Sequence, residues 1–256
     1  MPHANQDHLL DDVADLCRAA RRILFVTGAG ISADSGLPTY RGIGGLYNGG
    51  TTDEGFAIEE ALSGEMFALR PAITWKYIAQ IEANCRGARP NAAHEAIAWL
   101  AGRADVTVLT QNIDGLHRAA GTRDPIEIHG TLHKLRCTAC DRRAEVADYA
   151  GLAIPPACPD CGGLLRPEVV LFGEALPPVA VARLVRALEE GCDLVFSIGT
   201  TSVFPYIAAP VVEALRNGVP TVEINPGESN VSAYVDYRLR LGAAEALAGI
   251  RVRLEA

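Results

Sequence analysis

No stretch of the 256-residue sequence approaches the ~18 consecutive apolar residues of a membrane span. The N-terminus, Met1-Pro2-His3-Ala4-Asn5-Gln6-Asp7, has no apolar signal core. There is no run of Lys or Arg, and the formal net charge is −8. A duplex nucleic acid is therefore a poor partner; a basic peptide or a small molecule is a better one. Internal repeats and low-complexity tracts are also missing. These absences lead us to expect a cytoplasmic protein with no membrane and no nucleic-acid partner. Of what remains, 49% is hydrophobic, enough to bury the core of one large domain, or of one domain with a smaller insert.

Seven cysteines are present. Cys17, Cys85 and Cys192 stand alone and read as small buried apolar residues. The other four form two pairs, Cys137-x2-Cys140 and Cys158-x2-Cys161, separated by seventeen residues. Without a secretory signal, such pairs are metal ligands before they are disulfides. Four thiolates converging on one Zn²⁺ close its tetrahedral shell, so the metal is expected to be structural, with no open position for catalysis. A redox dithiol is the rival reading. It is disfavoured because both pairs lie in a turn-rich segment instead of at a helix start.

Short apolar runs organise the rest of the chain. Residues 7–21 carry Leu9, Leu10, Val13, Leu16 and Cys17 at helical spacing. Ile23-Leu24-Phe25-Val26 is a continuous apolar run that ends in Gly28-Ala29-Gly30, as a buried parallel strand feeding a turn does. Further strands are predicted at 105–109, 194–198 and 219–224. Helices are predicted at 92–100, 179–190 and 206–216. This alternation specifies an α/β fold, a parallel sheet with helices on both faces, whose ligands bind at the carboxyl ends of the strands. Gly28, Gln111, Gly199 and Asn225 fall at those ends. Two segments break the pattern: residues 39–55, a Gly/Thr/Asn-rich loop too long for a mere connector, and residues 132–167, which hold the cysteines.

Three motifs bear on chemistry. Gly28-Ala29-Gly30-Ile31-Ser32-Ala33 fits a relaxed dinucleotide fingerprint in which glycines admit a pyrophosphate beside a helix N-terminus. It fits a tight structural turn as well. No acidic residue follows about twenty positions later to hold a ribose, so Asn225 is the candidate for that task. Gln111, Asn112 and Asp114 follow a buried strand; they either cap the next helix or bind a carboxamide and ribose hydroxyls. His129, after Ile126-Glu127-Ile128, is either a structural residue or a base for a sugar hydroxyl. His94, His117 and His133 read as structural. Asp34 and Ser35 read as capping or solvating residues.

Taken in order, these segments resemble one family. The chain is similar to the sirtuins, NAD-dependent protein lysine deacylases, from about residue 21 to 247. The resemblance rests on the segments 28–42 and 110–117, His129-Gly130, the four cysteines, Val169-Val170-Leu171-Phe172-Gly173-Glu174 and Glu223-Ile224-Asn225-Pro226. It implies a Rossmann-like NAD-binding domain made of 1–38, 91–131 and 165–256. A cofactor loop and helical module at 39–90 and a zinc-binding insert at 132–164 complete the chain. Gly28, Ala29, Gly30, Ser32, Ala33, Thr39, Tyr40 and Arg41 would line the NAD phosphates and the mobile loop. Asn112 and Asp114, flanking Ile113, would bind the nicotinamide carboxamide, and Gln111 its ribose. Gly199, Thr200, Ser202, Asn225 and Pro226 would hold the adenosine half. Val169, Val170, Leu171, Phe172 and Gly173 would pair with an acyl-lysine peptide as an added strand. In the family the acyl oxygen attacks the ribose carbon as nicotinamide leaves, an alkylamidate forms, and the base, here His129, activates a ribose hydroxyl. The products are free lysine, nicotinamide and O-acyl-ADP-ribose.

The chain departs from the family pattern in three places. Tyr40 stands where many members have Phe. The segment Gly199-Thr200-Thr201-Ser202-Val203-Phe204-Pro205 is one residue short, which leaves Thr201 or Ser202 for the usual serine. Members that remove acidic acyl groups carry Tyr and Arg three apart on a helix; aligned on Trp75, those positions are Ile78 and Ile81, with Tyr77 and Gln80 the next pair in register. With no Arg there, the acyl group is expected to be neutral and short, acetyl first. A mono-ADP-ribosyltransferase or lipoamidase of the same fold, and a nucleotide-sensing module without turnover, are the alternatives.

Overall fold

The computed structural model describes residues 2–39 and 51–256. In chain order, helix α1 (Pro2–Ala19) leads into strand β1 (Arg22–Thr27) and a short 3-10 helix (Ala29–Ser35). Helices α2 (Ile58–Ala61), α3 (Gly64–Leu69), α4 (Pro71–Cys85) and α5 (Ala92–Leu100) follow, then β2 (Asp105–Thr110), α6 (Leu116–Ala119) and β3 (Ile126–Glu127). Next come β4 (Gly130–Cys137), β5 (Arg143–Glu145) and β6 (Leu165–Val169). The chain closes with α7 (Pro178–Glu190), β7 (Leu194–Ile198), α8 (Pro205–Arg216), β8 (Thr221–Ile224), β9 (Tyr237–Leu239) and α9 (Ala243–Glu255).

Six parallel strands form the main sheet in the order β3-β2-β1-β7-β8-β9. The continuous apolar runs predicted as buried strands have the physical cause expected of them. Side chains alternate across a strand, and here both faces are covered. Ile23 and Phe25 of β1 point into a core shared with α1, α5 and α9, while Leu24 and Val26 point into another shared with α7 and α8. Phe25 stacks on Phe196 of β7, with ring centroids 4.7 Å apart. Both phenylalanines are fully buried, and truncating either to Ala would cost about 3–5 kcal/mol.

A second, antiparallel sheet has the order β5-β4-β6. It shares one apolar cluster with α2, α3 and α4. Trp75 of α4 donates from Nε1 to the Leu165 carbonyl at 2.9 Å, and Tyr149 donates to the Leu132 carbonyl at 2.7 Å. The helical segment and the cysteine segment are thus packed as one body. The small sheet runs from Gly130 to Val169, so its first strand starts directly after His129.

The segment after β1 differs from the helix start predicted there. It is a 3-10 turn that Gly36 ends in the left-handed region (φ 82°), with Pro38 close behind. Among the described residues no helix is long and apolar enough to cross a membrane.

Candidate active site

A cavity of about 880 Å³ opens where the parallel strands end. Its wall takes Gly28, Ala29 and Gly30 from beyond β1, Gln111 to Ile113 from beyond β2, and His129 from beyond β3. Gly199 to Thr201 follow β7, and Asn225 to Gly227 follow β8. The other wall is apolar: Leu62, Ile78, Ile81 and Leu132, together with Val169 to Gly173. A cavity of this size suits a dinucleotide with room for a side chain.

The glycines are needed for packing within the chain. A Cβ on Gly30 would stand 2.6 Å from the Gly199 Cα, and one on Gly28 would stand 2.8 Å from the Gly199 carbonyl oxygen. Gly30 N–H donates to the Gly199 carbonyl and Ile31 N–H to the Gly28 carbonyl. Two amides that the fingerprint reading would aim at a phosphate are therefore engaged already, and the 3-10 turn offers no long helix dipole. The turn reading holds, and the close approach of β1 to β7 brings the loop to the cavity wall.

Beyond β2, Gln111 Nε2 donates to Thr200 Oγ1 at 2.8 Å. Asn112 is buried, and its Nδ2 donates to the Gly28 carbonyl and to Ser32 Oγ. Asp114 accepts from Ser32 Oγ at 2.8 Å and caps α6 by accepting from the Leu116 N–H at 2.9 Å. The capping alternative is thus true of Asp114, and it does not exclude a second task. Burial pushes the Asp114 carboxyl up despite both hydrogen bonds. Ser32 and Asp114 line a small side pocket with Ile81, Asn112 and Ile113, beside the main cavity.

His129 sits at the changeover between the two sheets. Its carbonyl accepts from the Val170 N–H at 2.9 Å, and the following Gly130 has φ 76° with no room for a Cβ against the Glu168 carbonyl. Its Nδ1 lies 3.1 Å from the Gln111 carbonyl, which can only accept, so Nδ1 carries the proton and Nε2 the lone pair. Burial holds the imidazole below its ordinary pKa, against that hydrogen bond, so it is neutral at pH 7. Nε2 meets the Tyr206 hydroxyl at 2.8 Å.

Other predicted residues fall as follows. Ala33 and Thr39 line the cavity, as do Thr200, Asn225 and Pro226. Asn225 Nδ2 donates to the Thr200 carbonyl, and its Oδ1 accepts from the Gly227 N–H. Ser202 does not line the cavity; Thr201 does, and Ser202 is buried with φ 52°. Ile78 and Ile81 face the cavity, whereas Tyr77 turns away to donate to Glu54 and accept from the Asp53 N–H. Phe172 already pairs with the helical segment: its N–H donates to Leu62 and its carbonyl accepts from Gly64. Tyr40 and Arg41 lie outside the described residues. Asp34 accepts from the Ala244 N–H at the start of α9, and Ser35 Oγ accepts from Asn91 Nδ2. Sequence reasoning missed Leu62, Leu132, Phe204, Tyr206 and Glu228, all in the cavity wall. Tyr206 read as an ordinary helix start; its nearness to the end of β7 was the available signal.

The cysteines stand apart, and none lines the cavity. The four Sγ atoms lie within 4.8 Å of one another. Sγ of Cys140 is 3.8 Å from that of Cys158 and 3.5 Å from that of Cys161. A tetrahedral Zn²⁺ with Zn–S near ~2.3 Å sets its sulfurs about 3.8 Å apart, so the donor set fits a structural zinc. Ala139 N–H donates to Cys137 Sγ and Gly163 N–H to Cys161 Sγ, as suits thiolates. Cys17 is buried, and Cys85 and Cys192 are half-buried.

Comparison with known proteins agrees with this arrangement. The model of the Sir2 family matches residues 28–205. The NAD-dependent protein deacylase 2 of Pseudomonas aeruginosa is 51% identical over 231 residues, 89% of this chain and 90% of that protein. The NAD-dependent protein deacylase 1 of Archaeoglobus fulgidus is 38% identical over 244 residues, 94% of each chain. A solved Sir2 homologue–NAD complex has a TM-score of 0.83 at 36% identity, covering 95% of this chain and 93% of its own. A Sir2 complex with deacetylated p53 peptide and 3′-O-acetyl ADP-ribose has a TM-score of 0.83 at 27% identity, covering 94% of this chain and 96% of its own. The fold agrees with these matches, and the chain belongs to the Sir2 family.

Proposed function

We propose that this protein is an NAD-dependent protein lysine deacylase that moves the acyl group from lysine to ADP-ribose. The observation that carries the reading is His129: a neutral imidazole with a fixed tautomer in the wall of a dinucleotide-sized cavity. A nucleotide-sensing module needs no such base. The family relatives named as NAD-dependent protein deacylases support the same reading.

NAD, when bound, supplies an activated ribose carbon that loses nicotinamide and receives the acyl oxygen, so that nicotinamide, O-acyl-ADP-ribose and free lysine are released. Gly28, Ala29, Gly30, Ala33 and Thr39 would lie along its phosphates. Gly199, Thr200, Thr201, Asn225 and Pro226 would hold the adenosine half. Asn112 has its Nδ2 engaged by Gly28 and Ser32, which leaves Oδ1 to accept from the carboxamide. Asp114 adds a second acceptor beside it. His129 is the base that drives loss of the proton from a ribose hydroxyl.

The acyl-lysine peptide would lie along residues 169–173 as an added strand. Val169 pairs with Gly130, and Phe172 with Leu62 and Gly64, so the Val170 carbonyl and the Gly173 backbone are the groups offered to it. The acyl group would enter the apolar end formed by Leu62, Ile78, Ile81 and Leu132. No Lys or Arg is among the described residues of the cavity wall. A succinyl carboxylate would be buried without a cationic partner, which costs several kcal/mol. Neutral short acyl groups are therefore the substrates, acetyl first.

The experiment is to supply NAD with acetyl-lysine and succinyl-lysine peptides of one sequence and to follow nicotinamide. The expected result is sustained release from the acetyl peptide by the wild type, at least tenfold less from the succinyl peptide, and no more than one equivalent per enzyme with His129→Ala. Equal rates on the two peptides would contradict the acyl selectivity. Release beyond one equivalent per enzyme in His129→Ala would contradict the role of the base.

A further inference from the structure

Nε2 of a neutral imidazole has one lone pair, directed in the ring plane. In this protein that lone pair is occupied: the Tyr206 hydroxyl lies 2.8 Å from His129 Nε2 and can only be donating to it. The phenol is held there by its surroundings. Tyr206 is the second residue of α8, directly after Pro205, and its ring stacks on Phe204 with centroids 5.5 Å apart and planes 13° apart. Both rings stand edge-on to the imidazole, at 5.8 and 5.9 Å. His129, Phe204 and Tyr206 all line the main cavity, so the phenol is interposed at the base itself. A sugar hydroxyl cannot use the same lone pair while Tyr206 does.

We propose that Tyr206 is a further catalytic residue, a proton relay between the ribose hydroxyl and His129. The relay rests on the deacylase reading above. The phenol oxygen keeps lone pairs with which to accept from a hydroxyl in the cavity while its own proton is donated to Nε2. As the sugar oxygen attacks, its O–H bond breaks and a new O–H bond forms on Tyr206 Oη. The original Tyr206 O–H bond breaks at the same time, and an N–H bond forms on Nε2. One proton arrives and one departs, so the tyrosine stays neutral and the histidine ends as imidazolium. Burial pushes the phenol further above its ordinary pKa, which keeps its proton in place at pH 7. The sugar oxygen is thereby placed one hydroxyl further from the imidazole than direct contact would put it.

Tyr206→Phe removes the hydroxyl and keeps the stacked ring. In the cofactor-free protein, the ¹⁵N resonance of His129 Nε2 carries the displacement of a nitrogen that accepts a hydrogen bond. It is expected to move toward the unbonded imidazole value in Tyr206→Phe. With NAD and an acetyl-lysine peptide, kcat is expected to fall at least tenfold while NAD affinity, measured by calorimetry, changes less than twofold. The solvent proton inventory is expected to curve in the wild type and to be linear in the variant. An Nε2 resonance that is the same in both proteins, or a variant that turns over as fast as the wild type, would overturn the relay. A wild type with no NAD-dependent deacylation fails the deacylase reading instead. A wild type that turns over, with His129→Ala inactive and Tyr206→Phe at full rate, fails the relay alone.

Discussion

Gln111 donates from Nε2 to Thr200 Oγ1 at 2.8 Å, which ties the loop after β2 to the loop after β7 across the end of β1. The same threonine oxygen accepts from the Ser202 N–H at 3.1 Å. One side chain thus fixes the gap between the two halves of the proposed dinucleotide site. Gln111→Ala is expected to weaken NAD binding roughly tenfold, the worth of about one well-placed hydrogen bond. Melting should change little, because the residue is only partly buried. Calorimetric titration checks this, and unchanged affinity would contradict it.

Gly30→Ala is expected to destabilise the protein by about 1–3 kcal/mol, because the added methyl meets backbone that cannot turn aside. The clash is with Gly199 Cα, at 2.6 Å. Gly227→Ala, where the nearest atom is the Asn225 side chain at 3.7 Å, is the comparison that should cost far less. Urea denaturation distinguishes the two. Equal stabilities would mean that the glycine serves the ligand and not the packing.

Acid should unfold this protein through two histidines remote from the proposed chemistry. His94 and His117 are buried with ring centroids 5.0 Å apart; His117 Nε2 meets Thr27 Oγ1 at 2.9 Å. Burial lowers His94 to about 4, and burial with the nearby His94 lowers His117 to about 3. The unfolded chain binds protons near pH ~6.5, while the folded chain does not until it reaches those lower values. Stability from this source is complete above pH ~6.5 and is lost as pH falls below it. The loss reaches on the order of 2 kcal/mol per histidine near pH ~5. His94→Leu is expected to flatten the fall between pH 7 and 5 by about half. Parallel slopes in the two proteins would remove the pair as the cause.

Metal removal acts elsewhere. A chelator is expected to lower the melting temperature of the wild type, since zinc binding and folding of the small sheet are linked. Cys158→Ser should already melt lower, and the chelator should add little to it. Full melting temperature in that variant, with zinc still bound, would contradict the four-thiolate site.

What the sequence disclosed and what it hid follow from where the forces are local. Ile23 to Val26 and Leu194 to Ile198 are apolar throughout because both sheet faces are covered, so their strands were legible. The cysteine spacing was legible because chelation needs short-range pairs. The small sheet was not: β6 reads Leu165-Arg166-Pro167-Glu168-Val169, and its buried Arg166 is satisfied by Glu174, a partner no local pattern reveals. The turn after β1 read as a helix start because its terminator, Gly36, acts through backbone conformation. Thr201 and Ser202 could not be separated by spacing; the positive φ at Ser202 turns its side chain into the protein and leaves Thr201 on the wall. Tyr206 was invisible as a site residue because its contact with His129 spans 77 positions and depends on how α8 leaves β7.

The central claim is that acyl transfer consumes NAD, and product stoichiometry tests it most directly. Mass spectrometry of a reaction with an acetyl-lysine peptide is expected to find free-lysine peptide, nicotinamide and O-acetyl-ADP-ribose in equal amounts. Free-lysine peptide accompanied by acetate, with NAD intact, would contradict the account.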